Sequence, residues 1–248
     1  MINFIYFKSL KLLISFLNFI YFLKSNKREN RLVNSCSKYY FSTTTKIIFR
    51  DNLNILKIIR ENKVSGDFVE CGVWKGISLV FLQKYIEIYN LKNTKVYGFD
   101  TFEGIPEPTK KDVDIYGNLM KDKYESLKID KNTSGWNLAS LDEVKSNFIK
   151  HTDPNENLIL VKGKVEDTLL IKDNLPEKIS LLKLDTSLYE GTKIELEALF
   201  PRVQKGGVVI VEGYLKFNGV RKAVDDYFSN KDFLVKNSYI TSRATIYL

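Results

Sequence analysis

The chain is poor in residues that carry several large classes of chemistry. Its 248 residues include two cysteines, one histidine, two tryptophans and five prolines. Cys36 and Cys71 have no C-x-x-C spacing and are too few for a disulfide framework, so a reduced, cytoplasmic protein is the expectation. Cys71 stands in an apolar run before a glycine, where a small buried residue is expected rather than a nucleophile. No G-K-[ST] follows the glycine turns, which excludes a P-loop. No repeat, proline-rich linker or low-complexity block divides the chain, and its length suits one large α/β domain. Lysine and arginine outnumber acids 38 to 30, a formal charge of +8. These cations are spread singly rather than gathered in a stripe, which argues against nucleic acid as a partner.

The first 23 residues stand apart, since only Asn3, Lys8, Ser9, Lys11, Ser15 and Asn18 among them are polar. Lys8, Lys11, Ser15 and Asn18 recur at helical spacing and fall on one face. The uncharged run from Leu12 to Leu23 is shorter than the ~20 residues of a membrane-spanning helix. Lysines flank it on both sides and no small-residue cleavage site follows, which does not suit a secretory signal. Residues 1–24 are therefore read as an apolar helix that either lies on a membrane surface or packs in a homo-oligomer. Residues 25–49 read as a connector, and residues 50–248 as the folded domain.

That domain carries its chemistry at the ends of strands. In Gly66 to Ser78 an apolar strand runs into Glu70, Gly72 and Gly76 before a helix begins. The glycines let backbone approach a ligand with no Cβ in the way, and the helix start offers free N–H groups at the carboxyl edge of a sheet. One strand-helix-strand unit further on, Val96 to Asp100 ends in a carboxylate placed to accept hydrogen bonds from ribose hydroxyls. With no phosphate-binding lysine in the turn, a phosphate-poor nucleoside such as S-adenosylmethionine fits better than ATP.

Strands are expected near 67–71, 95–100, 157–163, 179–185 and 207–212, and helices over 50–62, 77–89, 141–150, 189–200 and 219–228. The alternation predicts a mainly parallel, doubly wound α/β sheet. Phe233 to Tyr239 and Arg243 to Leu248 suit an antiparallel edge. Ser140 and Glu143 form a capping box at one helix start. Residues 101–140 lack a period, contain Pro106 and Pro108, and read as a lid over the carboxyl edge. Within it, Tyr116 and Trp136 are either sugar-stacking residues or locally packed aromatics.

Four motifs occur in order: Gly66 to Gly76; Asp100-Thr101-Phe102-Glu103-Gly104-Ile105-Pro106; Leu184-Asp185-Thr186-Ser187-Leu188-Tyr189-Glu190; and Pro201-Arg202 with Gly206-Gly207-Val208-Val209-Ile210. Together they resemble the macrocin O-methyltransferase (TylF) family. The resemblance implies a class I methyltransferase sheet of the seven-stranded type. It also implies transfer of a methyl from S-adenosylmethionine to a sugar hydroxyl of a glycan precursor or glycosylated metabolite, with a divalent metal such as Mg2+. On that footing Glu70, Gly72, Gly76 and Ser78 surround the methionine part, and Asp100 holds the ribose with Thr101 and Phe102 beside it. Val165 and Asp167 either lie near adenine or form an ordinary turn.

Enzymes of this kind carry metal-binding carboxylates in D-x-D-L-Y after the fourth strand and D-D-Y after the fifth. Here Ser187 replaces the second acid of the first motif, and Glu212-Gly213-Tyr214 replaces the second motif. The implied catalytic and metal residues reduce to Asp185 and Glu212. The lid has no histidine to act as base, and the lone His151 falls at a helix end, where it serves the helix dipole or solvent. Proton removal then falls to Asp185, Glu212 or a lid carboxylate such as Glu103 or Asp114. These departures leave open a non-catalytic relative with a decayed metal site, and a methyltransferase that works without metal.

Overall fold

The structure is a computed structural model that describes residues 12–17, 19–21, 23–38, 43–131, 133–152, 157–230, 233 and 235–248. Seven strands form one sheet in the order β3-β2-β1-β4-β5-β7-β6. β1 (Asp67–Cys71), β2 (Val96–Asp100), β3 (Leu158–Lys162), β4 (Ile179–Leu184) and β5 (Val203–Val211) are parallel. β6 (Val235–Ser238) and β7 (Arg243–Tyr247) supply the antiparallel edge. From Lys27 onward, eight α-helices connect and cover them among the described residues: α1 (Lys27–Ser37), α2 (Thr43–Glu61), α3 (Ile77–Tyr89), α4 (Met120–Leu127), α5 (Leu141–His151), α6 (Val165–Thr168), α7 (Tyr189–Leu199) and α8 (Asn218–Phe228).

The central strands are apolar on both faces, as strands covered on both sides by helices must be. Alternation sends Phe68, Leu181, Val208 and Ile210 into a core with Val33, Leu56, Leu79, Phe81 and Val144 of α1, α2, α3 and α5. The intervening Val69, Leu182, Leu184 and Val209 meet Leu196, Leu199, Val220 and Val224 of α7 and α8. The order of strands reverses between β1 and β4, so a crevice opens outside their carboxyl ends, where open α/β sheets bind ligands.

The stretch read as a connector contains α1. Asn26 and Glu29 close a reciprocal capping box there, each accepting the other's backbone N–H at 2.9 Å. Leu32, Val33 and Cys36 bury against the domain, a stripe too short to stand out among basic neighbours. α2 begins at Thr43 rather than residue 50, and β5 at Val203 rather than 207. Of the capping box expected at Ser140, its hydroxyl accepts the Glu143 N–H at 3.1 Å.

Residues 1–11 of the apolar amino terminus lie outside the described residues. Residues 12–17, 19–21 and 23 are helical. Ile14 is buried, whereas Leu12, Leu13, Phe16, Phe19 and Leu23 are exposed. No helix among the described residues is long and apolar enough to cross a membrane.

Candidate active site

A cleft lies at the β1/β4 switch point, where open α/β sheets bind small molecules. Gly72 makes it possible. Its φ of +84° and the 2.4 Å that would separate a Cβ from the Asp185 carbonyl admit only glycine where the two strand ends meet. Of the expected cofactor residues, Glu70, Gly72, Ser78, Asp100, Thr101 and Val165 line the cleft. Gly76, Phe102 and Asp167 do not. Gly76 is the N-cap of α3 and faces Val144 of α5. The Phe102 ring is buried in the core beside the turn. Asp167 is exposed on α6.

Asp100 organises the cleft mouth. Its Oδ2 accepts the N–H groups of Val73 and Trp74 at 2.7 and 3.0 Å, and its Oδ1 accepts that of Phe102 at 2.8 Å. Trp74 and Phe102 both hold left-handed backbones, as does Ser187 across the cleft, a costly conformation that these bonds compensate at the first two. The Thr101 hydroxyl lies 3.4 Å from Oδ1 but has one proton and the Gly104 carbonyl at 2.6 Å to take it, so of the about four acceptor sites of a carboxylate Asp100 keeps one for a ribose hydroxyl. Glu70 is buried, and its Oε2 has no hydrogen-bond partner. The opening turn of α3 next to it presents backbone N–H groups that no helical carbonyl accepts. An orphaned carboxylate oxygen for an ammonium, free N–H groups for a carboxylate, and a remaining acceptor for ribose fit S-adenosylmethionine.

A second, larger cavity adjoins the first and shares Asp185 and Asn137 with it. Glu212, Ser187, Gly213, Lys123, Lys216 and Trp136 also line it. Tyr116 and Trp136 both reach this cavity, but differently. Tyr116 is 83% exposed at its rim, whereas Trp136 is buried with Met120, Tyr124 and Leu188, with the Lys123 ammonium over its ring. Glu103 lies outside both cavities and pairs with Lys162. Asp114 lines the second, but its oxygens accept from Tyr116 N–H and from Asn118. His151 lines neither cavity.

Along the carboxyl edge runs a row of alternating charge. Glu70 of β1 stands opposite Lys183 of β4 in register, with the ammonium 2.6 Å from Glu70 Oε1, 3.2 Å from Asp185 Oδ2 and 4.0 Å from Glu212 Oε1. Beyond Glu212, Arg243 of β7 donates to it at 3.3 Å, to Asn52 of α2 at 2.7 Å, and to Asp51. Burial alone would lower the Lys183 pKa, but the three carboxylates hold it well above its ordinary value. Burial, with Glu212 and Glu70 nearby, raises the Asp185 carboxyl above the usual range against the pull of Lys183. Neither cation was singled out from sequence. The signal was present for Lys183, the one charged residue of the buried strand Ile179–Leu184.

Asp185 and Glu212 are thus brought together as expected, but the residues present do not fit a divalent ion. Among the described residues no three His, Cys, Asp or Glu side chains gather as a metal set. Ser187 and Gly213 occupy the other two positions. Gly213 has φ +72° with the Phe217 ring 2.7 Å from where a Cβ would stand. The Lys183 ammonium, 3.2 Å from Asp185 and 4.0 Å from Glu212, would also repel a divalent ion held by that pair.

The profile of the macrocin O-methyltransferase (TylF) family matches residues 42–246. The chain is 30% identical to demethyldecarbamoylnovobiocin O-methyltransferase of Streptomyces niveus, over 69% of this chain and 61% of that protein. It is 29% identical to 8-demethyl-8-(2,3-dimethoxy-alpha-L-rhamnosyl)-tetracenomycin-C 4'-O-methyltransferase of Streptomyces olivaceus, over 71% and 64%. The chain therefore matches less than two thirds of these relatives' lengths. In fold it is similar to the O-methyltransferase NovP, with a TM-score of 0.65 and 24% identity over 78% of this chain and 76% of that one. It is also similar to the calicheamicin methyltransferase CalS11, with a TM-score of 0.57 and 19% identity over 89% and 91%.

Proposed function

Since the chain belongs to the macrocin O-methyltransferase (TylF) family, we propose that it transfers a methyl group from S-adenosylmethionine to a sugar hydroxyl of a glycosylated small molecule or glycan precursor. The observation that carries this reading is the position of Asp185, the one ionisable side chain lining both the nucleoside-shaped cleft and the second cavity. The curated relatives support the acceptor class, as two are named for O-methylation of novobiocin and rhamnosyl-tetracenomycin compounds.

S-adenosylmethionine supplies a methyl already activated on a sulfonium, so the protein's tasks are positioning and proton removal. Glu70 and the start of α3 take the amino-acid end, and Asp100 takes the ribose. Val165 and Gly191 flank the adenine end of the cleft. Asp185 accepts the proton of an acceptor hydroxyl brought in from the second cavity, where Trp136 and Tyr116 form the walls.

The test is thermal unfolding of the full chain with S-adenosylhomocysteine, followed by mass spectrometry of sugar acceptors. At about 100 times the dissociation constant the ligand adds ~2.7 kcal/mol, or roughly 5–10 °C for a domain of this size. Asp185→Asn is expected to keep that shift and lose methyl transfer. No shift in a folded sample refutes the reading.

A further inference from the structure

The two carboxylates that would hold a metal already face cations of the chain's own. Lys183 rises from a strand buried at every position from Ile179 to Leu184, and its ammonium faces Glu70, Asp185 and Glu212 at 2.6, 3.2 and 4.0 Å. Arg243, with no exposed side-chain surface, closes the other side of Glu212 at 3.3 Å and is itself held by Asn52 and Asp51 of α2. The positions that would complete a donor set are a serine and a glycine against the Phe217 ring. An ammonium between the carboxylates and a donor set short of two acids thus stand together against the ion. We infer that Lys183 and Arg243 are built-in cations that stand in for a divalent metal at this edge: they fix Asp185 and Glu212 and offset part of the negative charge there, and the chain takes up no divalent ion. The inference is independent of the methyltransferase reading, because metal uptake is measured with neither cofactor nor acceptor present.

The experiment titrates the chelator-treated full chain with Mn2+ and follows the free ion by electron paramagnetic resonance, Mn2+ being a probe for oxygen-ligand sites. The wild type is expected to show no site up to ~1 mM, the weak end of carboxylate cation sites. Glu70→Gln with Lys183→Met removes the buried pair as a unit and leaves Asp185 and Glu212 without the ammonium. This variant is expected to bind Mn2+ at least about tenfold more tightly than the wild type. Uptake by the wild type that Asp185→Asn abolishes overturns the inference. So does a folded double variant without gain, since ligand shortage rather than Lys183 would then exclude the ion. Should the double variant fail to fold, Lys183→Met alone is titrated in its place: tighter Mn2+ uptake than the wild type sustains the inference, and a folded variant without gain defeats it.

Discussion

Glu195, on α7 beneath the cleft, has no exposed surface, and neither carboxyl oxygen finds a hydrogen-bond partner. Burial first, then the charges of Glu166 and Asp185, push its pKa well above the usual range, against the Thr186 hydroxyl and Cys71 thiol beside it. The folded chain therefore keeps a proton that the unfolded chain releases near the ordinary glutamate pKa. Stability falls as pH rises from that value towards the folded pKa, by about 1.4 kcal/mol per pH unit. Glu195→Gln keeps the shape without the proton. Its stability should exceed the wild type's at pH 8, with a gap that widens with pH and closes near the unfolded pKa. Denaturant midpoints at several pH values measure this, and a pH-independent difference would exonerate the carboxyl. From sequence Glu195 reads as one more surface acid in K-I-E-L-E, because nothing local reveals that this turn of α7 faces the sheet. Glu70 and Asp185 were legible because each sits beside a glycine turn or at a strand end, where pattern and role coincide.

At the scale of elements, one carboxylate ties the segment read as a lid to the start of α7. Asp112 is buried, accepts the Tyr189 N–H at the start of α7 at 2.7 Å, and binds the Thr109 N–H and hydroxyl at 2.7 and 2.9 Å. It caps α7 from a distant part of the chain, since Leu188 at the N-cap offers no side-chain acceptor. Asp112→Ala should cost about 1–2 kcal/mol, lowering Tm by roughly 2–8 °C, and should speed amide exchange in residues 109–124 more than in β1. Uniform exchange would argue against a lid anchored there. The helix inside the lid, α4, escaped sequence reading because it buries only Met120 and Tyr124 within eight residues, less than the window a helical period needs. α1 was missed for a similar reason, its buried stripe being short and set among basic residues. The sheet strands were legible to within a few residues because a doubly covered parallel strand is apolar without interruption.

Across the whole molecule, Arg243 ties α2 to the antiparallel edge and to the site. Its guanidinium is fully buried, while Asp51 keeps 32% of its side chain exposed and Glu212 keeps 12%. Arg243→Met leaves Glu212 with no counter-charge from that side. A loss of about 3 kcal/mol is expected, near the low end for broken buried pairs because Asp51 can hydrate. By scanning calorimetry that corresponds to a fall in Tm of roughly 6–12 °C, and exchange protection should drop in α2 and β7 before β2 and β3. A fall under 2 °C, below the ~2–4 °C per kcal/mol scale, would mean that the row of charges contributes little. The amino-acid sequence by itself determined the alternation of strand and helix, the glycine turns at the carboxyl edge and the acids that end the strands, because those patterns repeat within a few residues. Only the tertiary structure decided which charges meet. Lys183 reaches Glu70 across 113 positions and Arg243 reaches Asp51 across 192, and such pairs exist only once strand order and register set Lys183 beside Glu70 and α2 packs Asp51 against the antiparallel edge.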